Sequence, residues 1–91
     1  MATNTTHKAA RRYVQSLTPF KAHNLYGEQR GRFYVVFSYG EHFPLFVNDG
    51  QRWFENEDKY STSTSKQKSQ SHPLTETSPR TTQELKRMIN S

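Results

Sequence analysis

The residue types best suited to chemistry lie in one run, KYSTSTSKQKSQSHP, from Lys59 to Pro73. Seven of the twelve residues from Ser61 to His72 are Ser or Thr, Ser63 and Thr64 among them, and no carboxylate interrupts Lys59, Lys66, Lys68 and His72. Such a set suits phosphate, because lysine supplies charge while Ser, Thr and Gln donate short hydrogen bonds. Tyr60, with Trp53 and Phe54 upstream, offers stacking faces for unpaired bases, each worth about 1–3 kcal/mol where it is used. The same composition fits a disordered linker between a sheet and a C-terminal helix, and Trp53 and Phe54 equally fit a core, so both readings stand at this stage.

Other chemistries find less support. His7, His23, His42 and His72 are isolated from one another and cysteine is absent, so no metal site is expected. Glu55, Glu57 and Asp58 lack the spaced ligands and glycine of a calcium loop and read as a solvated turn ending a strand. Serine and histidine are plentiful, but there is no GxSxG elbow and no glycine-rich phosphate loop. Neither an enzyme nor a cofactor is expected. Thirteen Lys and Arg against eight Asp and Glu leave a net charge of +5, which attracts polyanions, nucleic acid foremost. A plain solubility charge of this size is the alternative.

The elements that must position these groups are legible in part. Hydrophobic residues are 31% of the 91 and aromatics 13%, so the core must be thin and built from Phe, Tyr and Trp. Residues 1–7 are polar and read as a flexible N-terminus, and residues 8–91 as one domain. Ala10, Tyr13, Val14 and Leu17 mark one face of a short helix that Pro19 prevents from continuing. RFYVVFSY alternates strictly, with Phe33, Val35, Phe37 and Tyr39 against Tyr34, Val36 and Ser38, and is the strongest strand. Phe43, Leu45 and Val47 resume the alternation, with Pro44 suggesting an edge or a bulge. Asp49-Gly50 suggests a tight type I′ turn into a third strand over Gln51 to Phe54. PFKAHNLY is a weaker strand candidate, joined to the main one by a turn from Gly27 to Gly31. Residues 61–78 read as a Ser/Thr-rich loop. Thr81-Thr82-Gln83-Glu84 matches a capping box that opens a helix over residues 80–90, with Leu85, Met88 and Ile89 as its apolar stripe. The fold expected is α+β, a small antiparallel sheet of three to four strands with short N- and C-terminal helices.

The start of the chain has no apolar stretch of signal-peptide type. The longest apolar run, Phe33 to Phe37, is far short of the roughly 20 residues a membrane span needs. No membrane partner is expected, and the chain reads as a monomer.

From Phe20 to Pro73, the elements YVVFSYGEHFPLFV, RWFENEDKYS and the run ending SQSHP resemble a family of small phage and prophage proteins of unassigned function. That resemblance implies that the Ser/Thr run belongs to the domain. The family pattern has a histidine after the basic residue of the run, where this chain has Gln67, which removes imidazole chemistry there and leaves phosphate contact by Lys66 and Lys68. A small, basic, cysteine-free phage protein also looks in kind like an anti-CRISPR protein. The likeness implies a stoichiometric inhibitor in the host cytoplasm that occupies a CRISPR effector complex, guide RNA with Cas subunits, or another host ribonucleoprotein, and blocks target DNA. Lys59, Lys66, Lys68, Arg30, Arg32 and Arg52 are the expected contacts to an RNA or DNA phosphate backbone, with Tyr60, Ser63 and Thr64 as neighbours. The alternative is a phage DNA-binding accessory or regulatory protein.

Overall fold

The computed structural model describes residues 3–38, 43–58 and 71–90. The strands are β1 (Thr3–Asn4), β2 (Phe20–Ala22), β3 (Leu25–Arg30), β4 (Phe33–Ser38), β5 (Pro44–Asn48), β6 (Trp53–Asn56) and β7 (Thr77–Arg80). The helices are α1 (His7–Gln15) and α2 (Thr82–Asn90). All seven strands form one open sheet in chain order. β2 to β6 are an antiparallel meander, and β1 and β7 join its two edges in parallel.

The alternation in β4 dictates the layering. All six of its residues are buried, so the strand is apolar on both faces and each face needs a cover. Tyr34 and Val36 join Ala10 and Val14 of α1 with Phe20, Leu25, Phe46 and Trp53. Phe33, Val35 and Phe37 join Val47, Phe54 and Leu85 of α2, with Met88 and Ile89 at the margin. The two helices therefore lie on opposite faces of the sheet. Burying the Tyr34 ring requires a partner for its hydroxyl, which donates to the Thr18 carbonyl at 2.8 Å.

Local chemistry sets the helix ends. Thr6 caps α1 by accepting from the Ala9 N–H, and Leu17, at φ 55, turns the chain out of the helix while Thr18 N–H returns to the Tyr13 carbonyl at 2.8 Å. The expected capping box is present: Thr81 N–H donates to Glu84 Oε1 at 2.9 Å and Glu84 N–H to Thr81 Oγ1 at 3.2 Å. Asp58 adds a second carboxylate at this N-terminus, accepting the Thr82 N–H at 2.8 Å.

The sheet is larger than the three or four antiparallel strands expected, and the additions have a common cause. PFKAHNLY supplies two strands, because Asn24, at φ 54, folds it into a hairpin pairing Ala22 with Leu25. The expected turn from Gly27 to Gly31 shrinks to Gly31-Arg32, since Arg30 already pairs with Phe33. Gly27 lies inside β3 because an added Cβ would fall 2.7 Å from Phe20 Cε1 and on the Tyr34 hydroxyl. Thr3–Asn4, within the stretch expected to be flexible, pairs with β2, and Thr5 N–H donates to the Lys21 carbonyl at 2.8 Å. Residues 77–80, expected as loop or helix start, are β7. Neither edge strand carries apolar alternation; each joins the sheet by main-chain pairing, to which Thr77 and Arg80 of β7 add contacts with Glu55 and Phe54.

Pro79 suits β7, since Glu57 N–H bonds the Arg80 carbonyl and the alternation then turns the proline nitrogen outward, where no donor is needed. Asn48 pairs directly with Trp53, so the expected two-residue Asp-Gly turn is a four-residue loop, Asp49 to Arg52. Asn48 Oδ1 accepts the Gly50 N–H at 2.7 Å and Asp49 Oδ1 accepts Gln51 and Arg52 N–H, each at 2.9 Å, which together outcompete the tight turn. The bulge signalled by Pro44 is found opposite it, between Val36 and Phe37. No described helix is long and apolar enough to cross a membrane.

Candidate basic interface

The meander brings Arg30, Arg32 and Arg52 to one end of the sheet. Gln29, Tyr34, Asn48, Trp53 and Thr77 are successive cross-strand partners and make one row. Arg30, the Gly31-Arg32 turn and the Asp49-to-Arg52 loop all lie beyond that row on the same side. β4 and β6 are two strand spacings apart, about 10 Å. Arg32 and Arg52 are exposed; Arg30 is half-buried, with Nε 3.1 Å from Glu28 Oε2. Each of three arginines lies on a phenylalanine of the α2-side core: Arg30 on Phe37 at 5.1 Å, Arg32 on Phe33 at 4.9 Å and Arg80 on Phe54 at 5.2 Å. A ring under the guanidinium holds its plane while the N–H edges keep their donor geometry.

The carboxylates are engaged differently. Asp49 is held below the ordinary carboxylate range by the Arg52 N–H first and the Gln51 N–H next. The Thr82 N–H and hydroxyl depress Asp58, and the Thr81 N–H and hydroxyl depress Glu84. Glu55, expected in a solvated turn, instead lies in β6, where His72 Nε2 approaches it at 3.1 Å and Thr77 Oγ1 donates to it at 2.9 Å. Asn56 beside it is buried, donating to the Pro44 carbonyl at 2.7 Å and to Thr82 Oγ1 at 2.9 Å.

Glu55, His72 and Thr77 do not form a nucleophile and base. Thr77 donates to the carboxylate and not to the imidazole, and the Leu74 N–H donates to His72 Nδ1 at 2.9 Å, which puts the ring hydrogen on Nε2. Both ring nitrogens thus serve the chain fold. Arg11 Nε donates to the His72 carbonyl at 2.9 Å and Gln15 Nε2 to the Pro73 carbonyl at 3.1 Å, so α1 clamps this segment from above. Among the described residues no three His, Asp or Glu converge as a metal set.

Lys59, Tyr60, Ser63, Thr64, Lys66 and Lys68, with Gln67, lie outside the described residues. The chain on either side of that run is fixed, at Asp58 on the N-terminus of α2 and at the buried Ser71 and clamped His72. Trp53 and Phe54 belong to the two cores, at 8% and 7% exposure, which removes them as stacking faces. Trp53 meets Tyr34 and Phe46 edge-on.

Arg80, Lys21 and Tyr26 were not singled out by their sequence context. The signal that identifies Tyr26 is phase: once Gly31-Arg32 is taken as the turn, Tyr26, Glu28 and Arg30 fall opposite Phe37, Val35 and Phe33 and share their face. No protein-family model, curated protein or solved structure matches the chain.

Proposed function

We propose that the chain is a stoichiometric binding protein that docks the basic end of its sheet on a ribonucleoprotein. A CRISPR effector complex in the host cytoplasm is the partner indicated by its likeness in kind to anti-CRISPR proteins. One observation carries this reading. Arg32 and Arg52 stand exposed at the same end of the sheet, while Glu28 is paired with Arg30 and Asp49 accepts the Gln51 and Arg52 N–H groups. Glu76 also borders Arg52 there, so the attraction rests on these two exposed guanidinium groups and on the +5 charge of the whole chain. Guanidinium forks suit phosphate bidentately, and a rigid sheet end lets them bind without reordering. A protein seated on the guide RNA in this way keeps target DNA from pairing.

Titration against duplex DNA, single-stranded RNA and a purified effector complex tests the proposal. Saturation at one chain per complex, with weak binding to the free polymers, is expected. Tight binding to duplex DNA alone would replace this reading with that of a DNA-binding accessory protein, and action at one chain per many targets would replace it with catalysis.

A further inference from the structure

α1 packs on β2 and β3 from one face of the sheet, whereas α2 packs on β5 and β6 from the other. β2 and β3 border a groove of about 340 Å3 lined by Phe20, Lys21, Tyr26, Gly27 and Glu28, of which Lys21, Tyr26 and Glu28 project to the α2 face. Lys21 and Tyr26 are cross-strand partners and so project to the same face, Lys21 exposed and Tyr26 half-buried. The Tyr26 ring stacks on Phe37 at 5.1 Å and 27°, and the Arg30 guanidinium covers the same phenylalanine at 5.1 Å. Arg32 closes the row on Phe33.

We infer that this face is a platform for a single-stranded polynucleotide, on which Tyr26 stacks with a nucleobase while Lys21 and Arg32 hold the flanking phosphates. The inference rests on the ribonucleoprotein reading above and names the part of the partner that the groove takes. Charge decides the occupant. Among the described residues the only carboxylate on the row, Glu28, lies 3.1 Å from Arg30 Nε, so the cations at either end, Lys21 and Arg32, have no acidic neighbour on that row among those residues. An aromatic ring between two cations fits an alternation of base and phosphate. Four residue rises separate Tyr26 from Arg30, about 13 Å, a length suited to the two or three bases that sheet platforms of this type accept. The Phe37 ring beneath fixes the plane of Tyr26, so a base meets a surface already ordered.

The test uses short ribo- and deoxyribo-oligonucleotides carrying 5-iodouracil, cross-linked by light to the full chain at low salt and mapped by peptide mass spectrometry, with affinity read by fluorescence anisotropy. The cross-link is expected on Tyr26, and Tyr26→Leu should weaken binding about tenfold or more. Lys21→Glu, an exposed change that leaves the cores intact, should weaken it similarly. Arg12→Glu, the same charge change on exposed α1 across the sheet, should weaken it much less. Preference for the ribo arm assigns the site to RNA, and equal binding of both arms assigns it to base and phosphate alone. No binding of either arm, a cross-link mapping elsewhere, or equal losses from Lys21→Glu and Arg12→Glu overturns the platform. If Arg32→Glu with Arg52→Glu still abolishes binding to the effector complex, that failure leaves the ribonucleoprotein reading in place.

Discussion

Gly27 and Leu74 illustrate opposite uses of backbone. Gly27 gives up a side chain so that the Tyr34 hydroxyl and the Phe20 ring can cross over β3. Both neighbours are fully buried rings or ring substituents with no solvent to retreat into, so Gly27→Ala is expected to destabilise the fold by about 1–3 kcal/mol, the usual cost of an inserted methyl in a filled core. Urea unfolding measures it, and an unchanged midpoint would mean that the ring pair moves freely. Leu74 keeps a side chain where glycine would be easier, at φ 57 and 64% exposed. The left-handed conformation costs about 1–2 kcal/mol for an L residue, and glycine returns about 0.4–1 kcal/mol of that as added freedom in the unfolded chain. Leu74→Gly is therefore expected to raise stability by up to about 1 kcal/mol, read by the same unfolding experiment. Leu74, being exposed, gives up little packing in the exchange.

At the scale of elements, α2 depends on its first turn. Thr81, Glu84 and Asp58 supply all the capping described there, and replacing Thr81 with Ala should cost about 1 kcal/mol. The pH dependence has a definite sign. Glu84 and Asp58 both titrate below the ordinary carboxylate range when folded, so their contribution is fully present above their unfolded values near pH 4 and is lost as pH falls through the folded ones. Glu84→Gln with Asp58→Asn should flatten the acid limb of the stability curve below about pH 4 and leave its shape near neutrality unchanged, as equilibrium unfolding across pH would reveal. The same element is legible in the sequence apart from its first residues, because a capping box and an i, i+3, i+4 stripe are local signals, while Arg80 belongs to β7. RFYVVFSY was legible for the same reason. TSPR and Thr3–Asn4 were not, since a parallel edge strand needs only main-chain partners and leaves no periodicity in its side chains. Asp49-Gly50 does not make the expected tight turn because Asn48 and Asp49 bond backbone N–H groups that a two-residue turn would have left to water.

At the scale of the whole molecule, two thin cores on one sheet explain why so few aliphatic residues suffice. Each face of β4 is closed by a single short helix, and the aromatic rings fill the remaining depth. Arg30 and Arg32 were recognisable as candidates from charge, but their adjacency to Arg52 follows only from the meander, which returns β6 to the end where β3 turns into β4. Trp53 could be read either way in sequence because a tryptophan beside a basic run suits stacking and core alike; its cross-strand row with Tyr34 decides for the core. Gathering three arginines at one end makes a measurable electrostatic prediction. Each phosphate neutralised on a single strand contributes about 0.7 to the slope of log affinity against log salt. Replacing Arg30, Arg32 and Arg52 together with Ala should then lower the slope for the proposed ribonucleoprotein partner by about 2. Replacing Arg12 should leave it unchanged, because α1 presents that residue on the far side of the sheet. Affinity lost without a change in slope would mean that the arginines contact protein groups, and would move the phosphate contacts to another part of the surface.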